Sequence, residues 1–327
     1  MSAPKSGITS GGGAGTGGGR GEFAAIERLR RSLPGPPHGE VWIGDDAAVL
    51  APTPGQLLFT TDLSVEAVHA DLDLVGLDTF GWRALAAALS DIAAMGGRAD
   101  HAVVGVAGPP STDLDQLYAG IAACARAHGC SVVGGDLSSA PEVVVAVAVT
   151  GHVPDGGRPV LRSGALPGDT LAATGPFGAS AAGLRLLRAR RGRPAHDPMV
   201  DALVDAYCRP RARLAEGEAA QSAGATALID VSDGLVADVG HIADASGVGV
   251  ALDNVPIAPG ATRDDALGGG EDYELVMAVA DVEPLEDAFG RAGLRPPLVI
   301  GVCTSDPTER SLDGRPMPRT GWEHPWA

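Results

Sequence analysis

Short apolar segments that end in aspartate constrain this chain more than any other feature of its sequence. In the clearest one, residues 227–229 are apolar, Asp230, Ser232 and Asp233 come next, and Gly234 precedes an amphipathic stretch. The pattern predicts a buried strand that ends in a turn at the start of a helix. A helix N-cap needs only one side-chain oxygen as acceptor, so three of them within four positions indicate a further role.

The same pattern occurs at three other places in the first half of the chain. The residues that follow these three apolar segments are, in turn, Asp45 and Asp46; Thr60, Thr61 and Asp62; and Gly134, Gly135 and Asp136. Each segment alone is typical of an ordinary turn after a strand. If the four ends converge, their oxygen atoms form the kind of cluster that binds Mg²⁺. Carboxylates so close together raise each other's pKa unless a cation lies between them.

Composition excludes several classes of protein. The formal net charge of −17 argues against a surface for nucleic acids or anionic membranes. The four cysteines form no CxxC pair and no zinc-like spacing, which predicts reduced, buried thiols in a cytoplasmic protein. No apolar run reaches roughly twenty residues, so we expect no membrane span, and the first residues have no apolar segment typical of a secretory signal. Residues 1–21 are Gly-rich and are predicted to be a disordered tail.

The distribution of lysine narrows the chemistry. Lys5, in the Gly-rich tail, is the only lysine of the chain. The phosphate chemistry of P-loop proteins and protein kinases uses a lysine, so positive charge must come here from arginine, from the N-terminal amine or from a metal ion. Paired carboxylates could also cleave glycosides, but only 4% of the residues are aromatic and could stack on sugars. No GxSxG motif supports nucleophilic hydrolysis. The residues therefore favour metal-assisted phosphoryl transfer.

Hydrophobic periodicity predicts a mixed α/β chain of two layers rather than one doubly wound sheet. The predicted helices cover residues 22–33, 78–95, 112–128, 179–190, 197–207, 210–223 and 283–292, with one more after Gly234. The predicted strands cover residues 41–43, 57–60, 99–107, 130–133, 143–150, 170–174, 248–252, 273–280 and 297–303. Pro and Gly residues over 154–159 predict a domain boundary.

Three local patterns give further predictions. Thr112 and Asp115 have the spacing of a capping box at the start of a helix. The glycines over 175–178 precede another helix, whose free N–H groups could hold an anion, although a plain tight turn fits equally well. Asp91 lies on the opposite side of its helix from Trp82 and Leu89, near a C-terminus where an acid opposes the helix dipole. A bound cation would remove that objection.

Taken together, seven motifs resemble those of the thiamine-monophosphate kinase family. That family belongs to a superfamily with aminoimidazole ribonucleotide synthetase, selenophosphate synthetase and the hydrogenase-maturation dehydratase. The resemblance extends from about residue 21 to residue 322. The motifs are IGDDAAVL (43–50), TTD (60–62) with His69, LSDIAAMG (89–96), GGD (134–136), RSGALPGD (162–169), IDVSDGLVADVGHI (229–242) and GGGEDYEL (268–275).

This resemblance implies a reaction and a set of site residues. ATP and thiamine monophosphate would give ADP and thiamine diphosphate by direct in-line transfer, the last step of thiamine diphosphate biosynthesis. Several Mg²⁺ ions would be held by Asp46, Thr60, Thr61, Asp62, Asp91, Asp136, Asp230 and Asp233. ATP would contact Gly135, Asp136, Arg162 and Ser232. Thiamine monophosphate would contact His69, Glu271 and Trp322. The residues expected to be catalytic are Asp46, Asp233 and Arg162.

The family fold carries over in the same way. It implies an ATP- and Mg²⁺-binding N-terminal domain over 22–153, whose sheet pairs with that of a second subunit in a homodimer, and a C-terminal α/β sandwich domain over 160–327. Two alternatives stay open. One is another ATP-using enzyme of the superfamily, similar to aminoimidazole ribonucleotide synthetase. The other is a protein that binds Mg²⁺ or nucleotide without catalysis.

Overall fold

The fold is known from a computed structural model that describes residues 22–44, 46–189 and 197–323. The predicted tail over 1–21 lies outside this range. The first half of the chain forms a four-stranded sheet and three helices. These elements are α1 (Glu22–Ser32), β1 (Leu57–Val65), α2 (Leu77–Ala93), β2 (Arg98–Gly108), α3 (Leu114–His128), β3 (Ser131–Ser139) and β4 (Val144–His152). The strand order is β1-β4-β2-β3, with β2 and β3 parallel and the other pairs antiparallel.

Among the described residues, helices cover only one face of this first sheet. Along β4, Val145, Val147 and Val149 are fully buried, while the residues between them stay partly exposed. This period of two is expected for a strand with one face against the core. The helices α2 and α3 pack closely on the covered face, because Cβ atoms at Gly81 and Gly120 would lie 2.2 Å and 1.8 Å from backbone oxygens of the other helix. The close contact fixes α2, which carries Asp91.

The second half of the chain forms a seven-stranded sheet. Its strands are β5 (Thr170–Ala173), β6 (Ala227–Asp230), β7 (Gly249–Leu252), β8 (Leu275–Val279), β9 (Leu298–Thr304), β10 (Arg310–Leu312) and β11 (Arg315–Pro316), in the order β11-β10-β7-β9-β5-β8-β6. Its helices are α4 (Ala179–Ala189), α5 (Pro198–Cys208), α6 (Leu214–Ser222), α7 (Leu235–Ser246), α8 (Arg263–Gly268) and α9 (Glu283–Arg291).

Both faces of this second sheet are covered. On one face Ile229 and Val276 pack in a core with Leu235 of α7, and on the other Leu228 and Met277 pack in a core with helix α9. All five residues of β8 are buried, as expected for a central strand with two covered faces. The predicted mixed α/β fold with two layered units of sheet and helix is confirmed.

Several local predictions were wrong. The TTD and GGD motifs lie inside β1 and β3 rather than after them, because these strands extend further than their apolar cores. Residues 41–43 form no strand, and Val41 makes only an isolated bridge to Val49. The N-cap of α3 is Asp113, whose carboxylate accepts from the Gln116 N–H at 3.0 Å, so the predicted capping box of Thr112 and Asp115 does not form. Helix α8 and strands β10 and β11 were not predicted.

Two further expectations concern the environment of the chain. The four cysteines are free, and three of them are buried: Cys124, Cys130 and Cys303. Among the described residues, no helix combines the length and the apolar character needed to cross a bilayer.

Candidate active site

The candidate site begins where β1 passes beside the end of α2. Alternation along β1 turns Thr60 and Asp62 toward the helix-covered face and Thr61 toward the open face. The Thr60 hydroxyl donates to a carboxylate oxygen of Asp91 at 2.5 Å. Asp91 therefore faces β1 rather than solvent. The geometry brings a threonine and two aspartates to one place in the first half of the chain.

The second half of the chain adds Asp230 to this group. Asp230 is the last residue of β6 and only 4% exposed, and its carboxylate accepts from the Ser90 hydroxyl at 2.7 Å. Ser90 and Asp91 are neighbours on α2, so adjacent residues of one helix bind both halves of the molecule. Ser90 was not predicted as a site residue, and its signal in the sequence is its position directly before Asp91.

The electrostatics show three mutually repelling carboxylates. Burial raises the pKa of Asp62, and Asp91 raises it further. Burial likewise raises the pKa of Asp91. Burial raises the pKa of Asp230 to about 6, with Asp91 adding to the rise and Arg162 opposing it. A bound cation stabilises the ionised form of buried carboxylates that repel one another. Because every donor atom of this group is an oxygen, the group fits Mg²⁺.

The turn after β6 is held by Asp238, a carboxylate that was not predicted as a site residue. Asp238, on the first turn of α7, accepts from the backbone N–H groups of Asp233 at 3.1 Å and Gly234 at 3.0 Å. Gly234 has φ 120°, a conformation that favours glycine. Burial raises the pKa of Asp238 to about 8. Ligand atoms of Asp233, Asp238 and His241 lie within 4.8 Å of one another, so Asp233 has a second carboxylate close to it at the start of α7.

The glycine-rich loop after α8 and the C-terminal segment both bind this turn. The Glu271 N–H donates to the Ser232 carbonyl at 2.8 Å, and the Trp322 N–H donates to the Asp233 carbonyl at 2.9 Å. A Cβ at Gly270 would lie 2.4 Å from the Ser232 carbonyl oxygen, so a larger residue cannot approach this closely. The structure thus brings the main chains of Ser232, Asp233, Glu271 and Trp322 together at this turn.

The remaining residue expected to contact substrate, His69, lies just beyond the end of β1. Its Nδ1 accepts from the Val65 N–H at 3.0 Å. His69 lowers and Glu271 raises the pKa of Asp62, although burial is the larger cause, so both residues lie near that carboxylate. Arg83, on α2, forms an ion pair with Glu271. Arg83 was not predicted as a site residue, and its signal in the sequence is that it is the one basic residue of α2, next to Trp82 on one side and a run of apolar residues on the other.

Three of the expected site residues lie elsewhere. Register aligns Asp62 on β1 with Gly135 on β3 across the two strands between them. The two backbones are therefore three strand spacings apart, roughly 14 Å. Asp136 is exposed and, like Thr61, belongs to the open face of the sheet. Asp46 is exposed on the segment between α1 and β1. The four aspartate segments therefore do not converge at a single point within one chain.

The start of α4 does not offer an anion site. The carboxylate of Asp272 accepts from the backbone N–H groups of Gly178 at 2.6 Å and Ser180 at 3.0 Å. Burial raises the pKa of Asp272 to about 7. The donors that a bound anion would need are occupied by the chain itself, so of the two alternatives left open for residues 175–178, the tight turn is the one observed.

Comparison with known proteins first gives the class. Residues 44–153 match the family model described as AIR synthase related protein, N-terminal domain, and residues 167–313 match the corresponding C-terminal domain. Both halves of the chain are thus those of an AIR synthase related protein.

Individual relatives define the family within that class. The thiamine-monophosphate kinase of Mycobacterium tuberculosis is 36% identical over 332 residues, which cover 93% of this chain and 91% of the relative. The crystal structure of thiamine-monophosphate kinase from Stenotrophomonas maltophilia has a TM-score of 0.79 at 32% identity and covers 90% of this chain and 97% of that one. The structure of AaThiL complexed with AMPPCP and TMP has a TM-score of 0.74 at 29% identity and covers 93% and 97%. The chain belongs to the thiamine-monophosphate kinase family, and the resemblance drawn from its seven motifs is confirmed.

Proposed function

We propose that the protein is a kinase that transfers the terminal phosphate of ATP to thiamine monophosphate, giving ADP and thiamine diphosphate. The observation that carries this proposal is the convergence of Thr60, Asp62 and Asp91 with Asp230 of the other half. The family supports it, because relatives that match nearly the whole chain are thiamine-monophosphate kinases and AaThiL was solved complexed with AMPPCP and TMP. The same reaction completes thiamine diphosphate biosynthesis.

Mg²⁺ fits this site, because buried oxygen ligands with raised pKa values are stabilised by a hard cation. Mg²⁺ bound there would neutralise charge on the phosphates that meet during transfer. The residues that we propose as ligands of several Mg²⁺ ions are Asp46, Thr60, Thr61, Asp62, Asp91, Asp136, Asp230 and Asp233. Of these, Thr60, Asp62, Asp91 and Asp230 form the group described above, whereas Asp46 and Asp136 lie apart from it and are assigned to other ions. The side chain of Thr61 faces away from this group, so we assign its contact to the main-chain carbonyl.

The chain itself contributes position and charge rather than covalent chemistry. In-line transfer needs an acceptor oxygen aligned with the terminal phosphate, and holding the two reactants accounts for most of the rate enhancement. Arg162 supplies a positive charge that already acts on Asp91 and Asp230. No lysine is available in the described residues, so this guanidinium is our proposed partner of the ATP phosphates. Ser232 contacts ATP beside it.

The two substrates approach from different elements. We assign Gly135 and Asp136 on β3, roughly 14 Å across the sheet from Asp62, to the nucleotide, because they belong to the GGD motif of the family. His69, Glu271 and Trp322 contact thiamine monophosphate. Trp322 is 55% exposed, and an indole ring can stack on a thiamine ring.

We also propose a homodimer formed through the open face of the first sheet. Phe59 and Leu57 are each 70% exposed there and Leu63 is 54% exposed. Such a patch on a sheet face is typical of a protein–protein interface. We propose domains over 22–153 and 160–327, and the family matches over 44–153 and 167–313 support this division. The four free cysteines support a cytoplasmic location.

The test is a comparison of acceptors. Purified protein is incubated with ATP and Mg²⁺ and either thiamine monophosphate or thiamine, and the products are separated by chromatography. The proposal predicts thiamine diphosphate and an equal amount of ADP from thiamine monophosphate, and no phosphorylation of thiamine. ADP formation that is independent of the acceptor would instead favour another ATP-using activity of the superfamily.

A further inference from the structure

Arg83 is a buried guanidinium that contacts three elements at once. It is 4% exposed on α2, a helix of the first half of the chain. Its two terminal nitrogens donate to the Tyr207 carbonyl, to the Glu271 carboxylate and, at 3.3 Å, to the His69 carbonyl. Its guanidinium carbon lies 4.0 Å from the centre of the Tyr207 ring. A charge buried this deeply is retained only when its partners are well fixed, because leaving it unpaired is costly.

Two of these partners are residues assigned to the acceptor substrate. Glu271 and His69 come from different halves of the chain, and Arg83 joins the carboxylate of one to the carbonyl of the other. Glu271 has φ 65°, a left-handed conformation that a non-glycine residue adopts only under constraint. That constraint comes from the hydrogen bond of its N–H to Ser232, at 2.8 Å, and from the ion pair of its side chain with Arg83.

We infer that Arg83 is a positioning residue for the acceptor substrate: it acts through Glu271, holding this carboxylate against His69 across the junction of the two halves. The inference rests on the proposed function for its kinetic consequence. A guanidinium suits this role better than an ammonium, because its planar fork can serve three acceptors and also stack on Tyr207. In the described structure Arg83 makes no hydrogen bond or ion pair with Thr60, Asp62, Asp91 or Asp230. Its loss should therefore affect ATP and metal binding less than it affects acceptor binding.

The first experiment measures the KM values for both substrates in Arg83→Met. Methionine fills much of the buried space but cannot pair with Glu271. We expect the KM for thiamine monophosphate to rise at least about ten-fold, while the KM for ATP changes less than about three-fold. The matched control is Arg213→Met, which removes an ion pair with Glu274, three residues further along the same segment. This control should leave the ratio of the two KM values unchanged. Equal changes in both KM values for Arg83→Met would overturn the inference.

A double mutant shows whether Arg83 acts through Glu271. If Arg83 acts through Glu271, adding Arg83→Met to Glu271→Gln changes little. The double mutant should then have a KM for thiamine monophosphate within about two-fold of that of Glu271→Gln alone. If the two effects multiply, Arg83 acts independently of Glu271 and the inference is wrong.

Amide hydrogen exchange tests the same idea without the reaction. Loss of the ion pair should speed exchange of the Glu271 and Tyr273 amides, which bind the Ser232 and Val231 carbonyls in the native fold. Unchanged exchange would overturn the inference even if activity fell. If Arg83→Met fails to fold, Arg83→Lys takes its place, because it keeps the positive charge. We expect amide exchange in Arg83→Lys to be intermediate between that of the wild type and that expected for Arg83→Met. An Arg83→Lys protein with the exchange and the KM of the wild type would count against the inference. Turnover by the unmodified protein decides the proposed function separately, since exchange reports on Arg83 in either case.

Discussion

The two sheets of the protein differ in how much of their surface the chain covers. The seven-stranded sheet is covered on both faces at its central strand β8, which has no exposed residue, while Val299 and Val302 of β9 are 44% and 39% exposed. The four-stranded sheet is buried on one face, while Phe59 and Leu63 of β1 remain 70% and 54% exposed on the other. The centre of the second sheet is therefore buried within the chain itself, whereas the first sheet has an exposed apolar face that a partner could cover.

Strand β1 shows the consequence of this difference most directly. Thr60 and Asp62 point to the covered face, where they meet Asp91, and Phe59, Thr61 and Leu63 point to the open face. Because side chains alternate along a strand, one segment can supply metal ligands on one side and an apolar interface on the other. We thus assign the metal ligands Thr60, Asp62 and Asp91 to the covered face of this sheet, and assembly to the apolar residues of its open face.

The largest effect should come from removing an acid on the covered side. Asp62→Asn and Asp233→Asn should each lower kcat at least about 100-fold, because a lost metal ligand removes several kcal/mol of transition-state stabilisation. Asp62→Asn should also raise the Tm of the metal-free protein by about 2 to 4 °C, since one repelling charge is gone. Steady-state kinetics and calorimetric unfolding measure both effects.

The matched control for these variants is Asp287→Asn, which changes an exposed acid on α9. It should leave kcat and Tm unchanged. Near wild-type turnover by Asp233→Asn would remove this residue from the metal site.

A charge on the open face should disrupt assembly without reaching the acid cluster. Phe59→Glu should weaken the dimer about 100-fold or more, because the interface would have to bury an unpaired carboxylate. Val299→Glu changes an apolar residue of β9 that is 44% exposed, and this control should remain dimeric. Analytical ultracentrifugation distinguishes the two outcomes. A Phe59→Glu protein that still sediments as a dimer would show that the interface lies elsewhere.

We expect a smaller difference in kcat between substitutions of the two adjacent threonines, Thr60 and Thr61. Thr60→Val removes the hydroxyl that binds Asp91 and should lower kcat about ten-fold, as one lost hydrogen bond to a charged group costs roughly 1.5–3 kcal/mol. Thr61→Val should change kcat less than about three-fold, because the main-chain carbonyl that we assign to the metal remains. Equal losses from both variants would contradict the assignment of different roles to the two faces.

The smallest effect concerns pH and Mg²⁺. Burial raises the pKa of Asp230 to about 6 from 3.8. Between about pH 4 and pH 6, the folded metal-free protein therefore binds more protons than the unfolded chain. Ionisation of Asp230 thus lowers the free energy of unfolding as the pH rises through this range. Mg²⁺ needs the ionised form, so its stabilising effect should be larger at pH 8 than at pH 5. Thermal unfolding with and without Mg²⁺ checks both signs, and a Tm gain from Mg²⁺ that does not fall as the pH is lowered would place the ion away from Asp230.

The fold class and most helices and strands could be predicted from the sequence. So could the three aspartates that the structure brings together, Asp62, Asp91 and Asp230, whereas Asp238 was missed. Hydrophobic periodicity was sufficient to predict the position and type of strongly patterned elements such as α2. The seven motifs identified the family. The placement of the motifs on the strands was wrong for TTD and GGD. Polar residues continue β1 and β3 beyond their apolar cores, and an apolar pattern cannot show where backbone pairing ends.

Contacts between distant parts of the chain could not be predicted in the same way. The bonds of Arg83 to Tyr207 and Glu271 and the Ser90–Asp230 hydrogen bond join residues more than one hundred positions apart. The carboxylate that occupies the start of α4 comes from Asp272, also far along the chain. Local pattern carries no information on such pairs, because they depend on how the two halves pack together.

The most direct test of the central claim is a phosphorus NMR time course with ATP and thiamine monophosphate, run with Mg²⁺ and again with excess chelator. We predict that signals of thiamine diphosphate and ADP grow together with Mg²⁺, and that both nucleotide and acceptor remain unchanged in chelator. Formation of thiamine diphosphate in chelator would contradict the role given to the acid cluster. Intact ATP in the presence of Mg²⁺ and thiamine monophosphate would contradict the proposed reaction itself.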